Sequence, residues 1–357
     1  MASTNLADHE SISGAASAKL ADGWTIQLEN GVSFPCARGD TLLRAALREG
    51  IGFPYECNSG GCASCMFELR EGAVDEVWDN PPGLTATSRE KGRLLACQCV
   101  PVSDCTIQVR TRPQYVPLVK PSRQDTVIEE MISLTHDMSL FRLRASGPAV
   151  FLPGQFAMLS LPGQPFARAY SMCNLGNERG DWDFIIKRVP GGAFTNTLFN
   201  LKPGEPVGID GPYGAAFLRE ETPRDILCIA GGAGLSPMLS ILRGAAASPQ
   251  LQGRELHFFY GGRAPRDFCH EPLFSEDPIL AGKVLHRSAI SAQPDDELVW
   301  EGERGFIHEV VERHLADRLK SFEIYLSGPP PMTDAVQTML VVKYRVPLAQ
   351  IHFDRFY

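Results

Sequence analysis

Four cysteines, Cys57, Cys62, Cys65 and Cys97, are the residues whose types and spacing most directly indicate chemistry. The first three form the pattern C-x4-C-x2-C and the fourth follows after a long gap, which is the plant-type ligand spacing for a [2Fe–2S] cluster. Such a cluster carries single electrons. Cys99 is a second candidate for the fourth ligand, because Cys97 and Cys99 are separated by one residue. A zinc site is the alternative, but zinc sites usually pair two C-x2-C knuckles and this chain has one.

A second group of residues could hold a flavin. Arg168, Tyr170 and Ser171 combine a cation for a pyrophosphate, a ring that can stack and a hydroxyl that can hydrogen-bond a ring nitrogen. Downstream, a glycine-containing turn precedes a predicted helix over residues 196–200, and a helix N-terminus suits an anion. Gly192, Thr195 and Lys187, which lie in this turn and the strand before it, are therefore further candidates for cofactor binding.

A third group suits a dinucleotide. Gly231, Gly232, Gly234 and Pro237 follow a predicted strand and open a helix, so that the backbone can approach a pyrophosphate at the helix N-terminus. The proline departs from the usual G-x-G-x-x-G pattern, and an ordinary tight turn between strand and helix is the alternative. A second strand-to-helix turn, Ser327-Gly328-Pro329, belongs at the same carboxyl edge of the predicted sheet.

The elements that must position these residues fall into three segments. Up to Arg112, a hairpin around Asn30-Gly31 and a helix over residues 41–49 with Asp40 as its cap predict a small α+β domain. Residues 113–121 contain three prolines and predict a stiff extended linker. Short strands between Pro and Gly turns over residues 122–222 predict an antiparallel β-barrel.

In the last segment, residues 223–357, the spacing of the hydrophobic residues differs from that of the preceding strands. Predicted strands at 225–230, 256–260 and 323–326 alternate with predicted helices that end near Arg243 or span 308–319 and 333–343. Alternation of this kind predicts a parallel, doubly wound sheet. The aromatic residues at the C-terminus are expected to be packed, either into the core as part of the last strand or over a flavin.

Composition excludes other classes of function. The 357 residues carry a net charge of −8, without the basic face of a nucleic-acid-binding protein. No apolar run is long enough to span a bilayer. Residues 1–18 lack the pattern of a signal peptide and are expected to form a disordered tail. Ten cysteines without a secretion signal favour reduced thiols and a cytoplasmic protein.

The motifs together resemble the NADH-dependent reductase components of bacterial multicomponent oxygenases. Residues 53–62, 95–99 and 351–356 are most similar to the reductases of toluene-type, di-iron aromatic monooxygenases. The resemblance implies a ferredoxin-type β-grasp domain (residues 19–112), then an antiparallel FAD-binding barrel, then a parallel-sheet nicotinamide-binding domain.

The resemblance also implies roles for the candidate residues. It selects Cys97 as the fourth cluster ligand and places Arg168, Tyr170, Ser171 and Thr195 on FAD. It places the glycine turn, together with Gly328 and Pro329, on NADH. Ser171, Ser327 and Phe356 become the candidates nearest to hydride transfer, with Phe356 covering the flavin. Ser327 departs from the family pattern, which has cysteine there, and a modest effect on hydride transfer is expected.

The expected activity is hydride transfer from NADH to FAD and single-electron transfer through the cluster to an oxygenase component or a Rieske-type ferredoxin. A Rieske ring-hydroxylating dioxygenase or a sugar-deoxygenating dehydrase could instead be the client. A cluster-binding redox sensor without turnover is a different class of function. Asp267 suits the ribose hydroxyl of NADH, whereas Arg263 and Arg266 suit a 2′-phosphate. The protein is expected to be a monomer.

Overall fold

The structure, a computed structural model, describes residues 23–222, 224–291 and 300–355. The described part of the chain forms three regions, each built on its own sheet, in the order that the sequence predicts. None of the helices in these ranges has the length and apolar character needed to cross a membrane.

The first region is a five-stranded mixed sheet with a helix packed on it. Its two N-terminal strands form the predicted hairpin, and the first strand also pairs in parallel with the last, giving the order β2-β1-β7-β3-β5. The elements are β1 Gly23–Leu28, β2 Ser33–Ala37, α1 Leu42–Arg48, β3 Met66–Glu71, β4 Val74–Glu76, α2 Ala86–Glu90, β5 Arg93–Leu95, β6 Cys99–Pro101 and β7 Cys105–Gln108. The buried side of α1 packs into the core of this region.

The second region is an antiparallel sheet of six strands in the order β11-β10-β13-β8-β9-β12. Its elements are β8 Ser122–Ser133, β9 Met138–Ala145, β10 Phe156–Ser160, β11 Arg168–Ser171, β12 Asp181–Lys187, α3 Ala193–Leu198 and β13 Pro206–Tyr213. A bridge between Met172 and Phe184 brings the two edge strands together. The predicted barrel is therefore confirmed.

The third region is a parallel sheet in the order β17-β16-β15-β14-β18-β19 with helices on both faces. Its elements are β14 Asp225–Gly231, α4 Leu235–Ala247, β15 Leu256–Gly262, α5 His270–Ser275, β16 Val284–Ile290, β17 Glu303–Arg304, α6 Ile307–Leu315, β18 Phe322–Gly328, α7 Pro330–Gln337 and β19 Ile351–Arg355. Strand β14 lies centrally, so the turn that follows it opens at the middle of the carboxyl edge.

Several local predictions differ from the structure. Thr41, not Asp40, caps α1, because its hydroxyl accepts from Arg44 N. The helix predicted at 196–200 begins earlier, at Ala193. The helix predicted at 308–319 is α-helical only as far as Leu315 and continues as a 3₁₀ helix. The helix predicted at 333–343 is α-helical only as far as Gln337 and continues as a π-helix. The segment predicted as an extended linker begins with a 3₁₀ turn, Pro113–Tyr115. The predicted tail, residues 1–18, lies outside the described residues.

Candidate functional site: a cluster loop, a flavin strand and a dinucleotide turn

The loop that carries three of the four cysteines is tightly curled. Asn58, Gly60 and Ala63 have positive φ angles of 50°, 90° and 64°. Gly83 N donates to Gly60 O at 2.9 Å and fixes the loop to the neighbouring chain. This curl turns backbone N–H groups inward, so that Ser59 N donates to Cys57 Sγ at 3.4 Å and Cys57 N to Cys62 Sγ at 3.5 Å. Such hydrogen bonds stabilise thiolates.

The four thiols form two pairs. Cys57 contacts Cys62, and Cys65 contacts Cys97. The hydrogen bond from Cys62 lowers the pKa of Cys57 to about 5, and the bond from Cys65 lowers the pKa of Cys97.

Four thiolates on one zinc ion would lie about 4 Å from one another, given Zn–S bonds of about 2.3 Å. Among the described residues, the one set of three or more such ligand atoms within 4.8 Å of one another contains no cysteine. Two separated pairs suit a cluster with two irons better than a single ion.

The side chains of Cys97 and Cys99 lie in different surroundings. Cys97 lies against Cys65 and accepts a hydrogen bond from Gln98 Nε2 at 3.6 Å. Cys99 lies in β6, buried near Glu76, and burial raises its pKa. The geometry therefore supports Cys97 as the fourth ligand, as the resemblance implies.

Strand β11 presents the flavin candidates in alternating directions. Arg168 is exposed, with its guanidinium 4.2 Å from the centre of the Phe166 ring. Tyr170 is half-buried and its ring lies 5.8 Å from that of Phe194. Ser171 is buried. The strand can thus offer a cation, an aromatic face and a hydroxyl to one extended ligand.

The other flavin candidates have local partners. Thr195 Oγ1 accepts from Val189 N at 3.1 Å and so holds the turn that leads into α3. Gly192 caps α3, and a Cβ there would lie 2.9 Å from Thr195 Oγ1. Lys187 Nζ pairs with Asp137 at 2.9 Å.

A cavity of about 470 Å³ separates the cluster loop from the flavin strand. Asn58, Ser59 and Cys97 line one side, and Met158 and Arg168 line the other. Arg168 is the flavin candidate that lines this cavity, so the cluster loop and the start of the flavin strand border one space, although the chain between Cys97 and Arg168 is long.

The dinucleotide turn after β14 packs directly against the second strand-to-helix turn. A Cβ on Gly234 would lie 2.1 Å from Ser327 O, so only glycine fits there. Gly232 has φ +55°, with nothing within 4 Å of its Cβ position, and Tyr260 donates to its carbonyl at 2.8 Å. Gly231 ends β14, and Pro237 is buried in the first turn of α4. The turn thus leaves open space at the N-terminus of α4, which suits a pyrophosphate.

Ser327, the last residue but one of β18, has a buried hydroxyl without a hydrogen-bond partner among the described residues. The residue as a whole is fully buried. Gly328 follows, and Pro329 caps α7. A buried hydroxyl without a partner indicates a group that a ligand completes.

Two further residues join the flavin strand to the dinucleotide domain, and sequence reasoning missed both. Ser236 Oγ donates to Ser171 O at 2.7 Å and accepts from Ile185 N at 3.1 Å. Ser171 Oγ donates to Asp354 Oδ2 at 2.5 Å, across 183 residues. Ser236 was visible beside the glycine turn and Asp354 inside the C-terminal motif, but no local pattern pairs them with Ser171.

Asp354 is half-buried, and desolvation raises its pKa to about 6, although the hydrogen bond from Ser171 opposes this shift. The nearby Glu56 raises the pKa further. Glu56 in turn lies 3.9 Å from Arg355 Nη1 and precedes the ligand Cys57. The C-terminal strand therefore contacts both the flavin strand and the cluster loop. Phe356, predicted to cover the flavin, lies outside the described residues.

Comparison with known proteins agrees with this arrangement. Residues 26–102 match the 2Fe-2S iron-sulfur cluster binding domain, 125–217 the oxidoreductase FAD-binding domain and 228–338 the oxidoreductase NAD-binding domain. A ferredoxin–NAD(P)+ reductase from Metapseudomonas resinovorans is 46% identical over 94% of this chain and 100% of its own length. The chain belongs to the ferredoxin–NAD(P)+ reductases that have these three domains.

Other members of the reductase family serve oxygenases of two kinds. The ferredoxin–NAD(+) reductase component of the alkene monooxygenase system of Xanthobacter autotrophicus is 39% identical over 93% of this chain and 100% of its own. The solved structure of the ferredoxin reductase in carbazole 1,9a-dioxygenase has a TM-score of 0.87 and 41% identity, covering 94% of this chain and 98% of that one. The expected fold class, oxidoreductase class and set of cofactor domains are confirmed.

The residues of this reductase fit the three groups that its domains bind. The paired thiols suit the two irons of a cluster, and the open turn at Gly232 beside the unpartnered Ser327 hydroxyl suits a dinucleotide. Asp267 Oδ2 accepts from Arg263 N and Ala264 N at 2.8 and 3.0 Å. These two hydrogen bonds hold the turn after β15.

Proposed function

We propose that the reductase takes hydride from NADH onto FAD and delivers single electrons, through the cluster held by Cys57, Cys62, Cys65 and Cys97, to a small ferredoxin of an oxygenase system. When bound, FAD converts the hydride into two single electrons and the cluster relays them. The observation that carries the proposal is the direct hydrogen bonding between the flavin strand and the dinucleotide domain, through Ser236 and Asp354, beside a cavity that the cluster loop also lines.

The chain's own residues have separable tasks. Gly231, Gly232, Gly234 and Pro237 bind the NADH pyrophosphate, and Gly328 and Pro329 shape the nicotinamide side of the same space. Arg168 pairs the FAD pyrophosphate, Tyr170 packs on the ring and the Ser171 hydroxyl, oriented by Asp354, lies beside it, while Thr195 and Gly192 form the turn next to it. Lys187, a candidate because it lies in the strand before this turn, is paired with Asp137.

Asp354 can hold a proton near neutral pH, because burial raises its pKa to about 6. Its hydrogen bond with Ser171 places that proton next to the hydroxyl expected to face the flavin. In this proposal, Ser171 and Asp354 orient the flavin, and Ser327 lies behind the turn that receives the nicotinamide.

A ferredoxin acceptor is favoured over direct transfer to a hydroxylase, because the relatives described above are ferredoxin reductases. Their systems include both a monooxygenase and a dioxygenase, so a Rieske-type ferredoxin of a dioxygenase is the second candidate beside a monooxygenase partner. The cluster region, residues 1–112, has a net charge of −4, which suits weak, salt-sensitive docking.

We also propose the domain limits 19–112, 122–222 and 223–357, a monomer as the working unit and a cytoplasmic location. The ten cysteines form no disulfide, as expected for reduced thiols.

Anaerobic mixing of the purified holoenzyme with NADH tests the function. Rapid loss of flavin absorption, followed by an EPR signal from the reduced cluster and by cytochrome c reduction, is expected. Absence of NADH oxidation would favour a redox sensor and overturn the proposal. Comparing NADH with NADPH as donor tests the assignment of Asp267, which predicts a higher kcat/KM for NADH.

A further inference from the structure

Four charged side chains form a closed ring across the contact between the cluster region and the flavin barrel. Asp40 and Arg48 come from the cluster region, and Arg123 and Asp210 come from the barrel. Arg48 pairs with Asp40 and, at 2.6 Å, with Asp210 Oδ2. Arg123 pairs with Asp40 at 2.9 Å and approaches Asp210 at 3.8 Å. Each arginine therefore binds one carboxylate from each region.

The ring is largely removed from solvent and its charges balance. The side chains of Asp40, Asp210 and Arg48 are 4%, 13% and 20% exposed, whereas Arg123 closes the ring at the surface with 51% exposure. Two guanidinium groups face two carboxylates, so no charge in the ring is left without a partner. Planar, charge-assisted pairs of this kind fix direction as well as distance, which apolar contacts between two surfaces do not.

On the cluster side, the ring is attached to the element that supports the cluster loop. Asp40 precedes the cap of α1 and Arg48 is the last residue of α1. From the same helix, Arg44 Nε donates to Asn58 Oδ1 at 3.4 Å, next to the ligand Cys57.

On the barrel side, the ring is attached to the strands that support the flavin site. Asp210 in β13 lies opposite Met158 in β10, and Met158 lies opposite Ala169 in the flavin strand β11. A displacement of α1 relative to β13 would therefore change the gap between the cluster loop and the flavin strand.

A second set of contacts joins the same two regions beside the ring. Tyr213 donates to Asp210 Oδ1 at 2.7 Å, and its ring meets that of Tyr55 edge-on at 6.4 Å. Tyr55 accepts from Gly214 N at 2.9 Å and stands two residues before Cys57. Phe156, Met158 and Tyr213 of the barrel also belong to the core of the cluster region. The apolar contact holds the two regions together, and the ionic ring gives it one orientation.

We propose that Asp40, Arg48, Arg123 and Asp210 are positioning residues that fix the cluster at its working distance from the flavin, and that they act on flavin-to-cluster electron transfer without acting on hydride transfer. The inference rests on the proposed function. The ring residues lie outside the dinucleotide turn and the flavin motif, so flavin reduction by NADH should not depend on them. The step moves one electron from reduced flavin to one oxidised iron, and the NADH reaction supplies that electron.

The test compares Arg48→Met with a matched control, Arg142→Met. Arg142 also binds a buried carboxylate with two hydrogen bonds, to Asp183 at 2.9 Å each, but within the barrel. Stopped-flow absorption follows flavin reduction by NADH, and freeze-quenched EPR follows cluster reduction. Arg48→Met should leave flavin reduction within about twofold and slow cluster reduction by about tenfold or more, because the rate depends on how the two centres are positioned. Arg142→Met should change neither rate by more than about twofold.

Hydrogen exchange gives a readout that does not depend on turnover. Arg48→Met should increase exchange in α1 and in residues 51–57, with no change in the dinucleotide domain. Arg48→Lys, which keeps the charge but loses the planar fork, should give an intermediate cluster-reduction rate, and it replaces Arg48→Met if that variant does not fold.

Equal slowing of both rates in the Arg48 variant, unchanged cluster reduction, or the same slowing in Arg142→Met would each overturn the proposal. Failure of the unmodified holoenzyme to reduce its cluster from NADH would instead overturn the proposed function.

Discussion

The cluster loop and the proposed hydride-transfer site are built in opposite ways. The cluster loop places three ligands within nine residues, and its shape follows from local backbone geometry at Asn58, Gly60 and Ala63. The hydride-transfer site joins residues from β11, from the turn after β14, from β18 and from β19, through hydrogen bonds such as Ser171 to Asp354. A local site tolerates change elsewhere in the chain, whereas an assembled site depends on how whole domains pack.

The local character of the cluster site predicts the largest effect. Cys97→Ser should abolish assembly of the cluster, because it removes one thiol of the Cys65–Cys97 pair. Iron content and visible absorption measure the loss, and flavin reduction by NADH should persist. Cys99→Ser is the matched control and should retain the cluster, since Cys99 lies near Glu76 instead. A variant at Cys99 that loses its iron while Cys97→Ser keeps it would reverse the assignment.

The assembled character of the hydride site predicts that a single methyl group can disrupt it. Gly234→Ala would place a Cβ 2.1 Å from Ser327 O and so push the two strand-to-helix turns apart. Flavin reduction by NADH should fall by roughly a hundredfold, as expected for a misplacement near 1 Å, with FAD content unchanged.

Gly253→Ala is the control for Gly234→Ala. Gly253 has nothing within 4 Å of its Cβ position, so alanine there adds the backbone strain of a positive φ, +79°, without steric overlap. Equal rates in the two variants would show that steric overlap at the turn does not matter.

The raised pKa of Asp354 predicts that the free energy of unfolding depends on pH, and this dependence should not involve the cluster loop. Burial raises its pKa to about 6, so the folded state keeps the proton that the unfolded state releases near pH 4. The associated stability is present below pH 4 and is lost as pH rises through 6. Asp354→Asn removes this loss, so its free energy of unfolding relative to the unmodified protein should increase by roughly 3 kcal/mol between pH 4 and 7.

Urea unfolding at the two pH values measures the difference, with the exposed Asp125→Asn as control. A difference for Asp354→Asn that stays constant between the two pH values would contradict the raised pKa.

The smallest effect is expected at Ser327, where the chain departs from its family pattern. Ser327→Cys replaces a buried hydroxyl that has no hydrogen-bond partner among the described residues by a thiol that tolerates burial. Flavin reduction by NADH should increase by about threefold, which corresponds to less than 1 kcal/mol in the barrier. Stopped-flow absorption measures it, and Ser327→Ala separates loss of the hydroxyl from gain of the thiol. An unchanged rate in Ser327→Cys would contradict the expected effect of serine at this position on hydride transfer.

The sequence alone determined the features that depend on residue type and short spacing. The C-x4-C-x2-C pattern indicated the cluster, and alternation of strands and helices after Asp225 indicated the parallel sheet. Gly234 could be selected because a strand-to-helix turn has a local glycine pattern. Helix ends were less predictable, because side-chain competition decides them. Asp40 seemed a cap for α1, but its carboxylate binds Arg48 and Arg123 while Thr41 caps the helix.

Only the tertiary structure decided which distant groups meet. It paired Cys97 with Cys65, placed Asp354 on Ser171 and Ser236 on the flavin strand, and closed the ring of Asp40, Arg48, Arg123 and Asp210. The physical reason is that a hydrogen bond or ion pair between segments leaves no periodic signal in the sequence. Such a contact exists only once packing of the domains has removed its partners from water and brought them within 3 Å of each other.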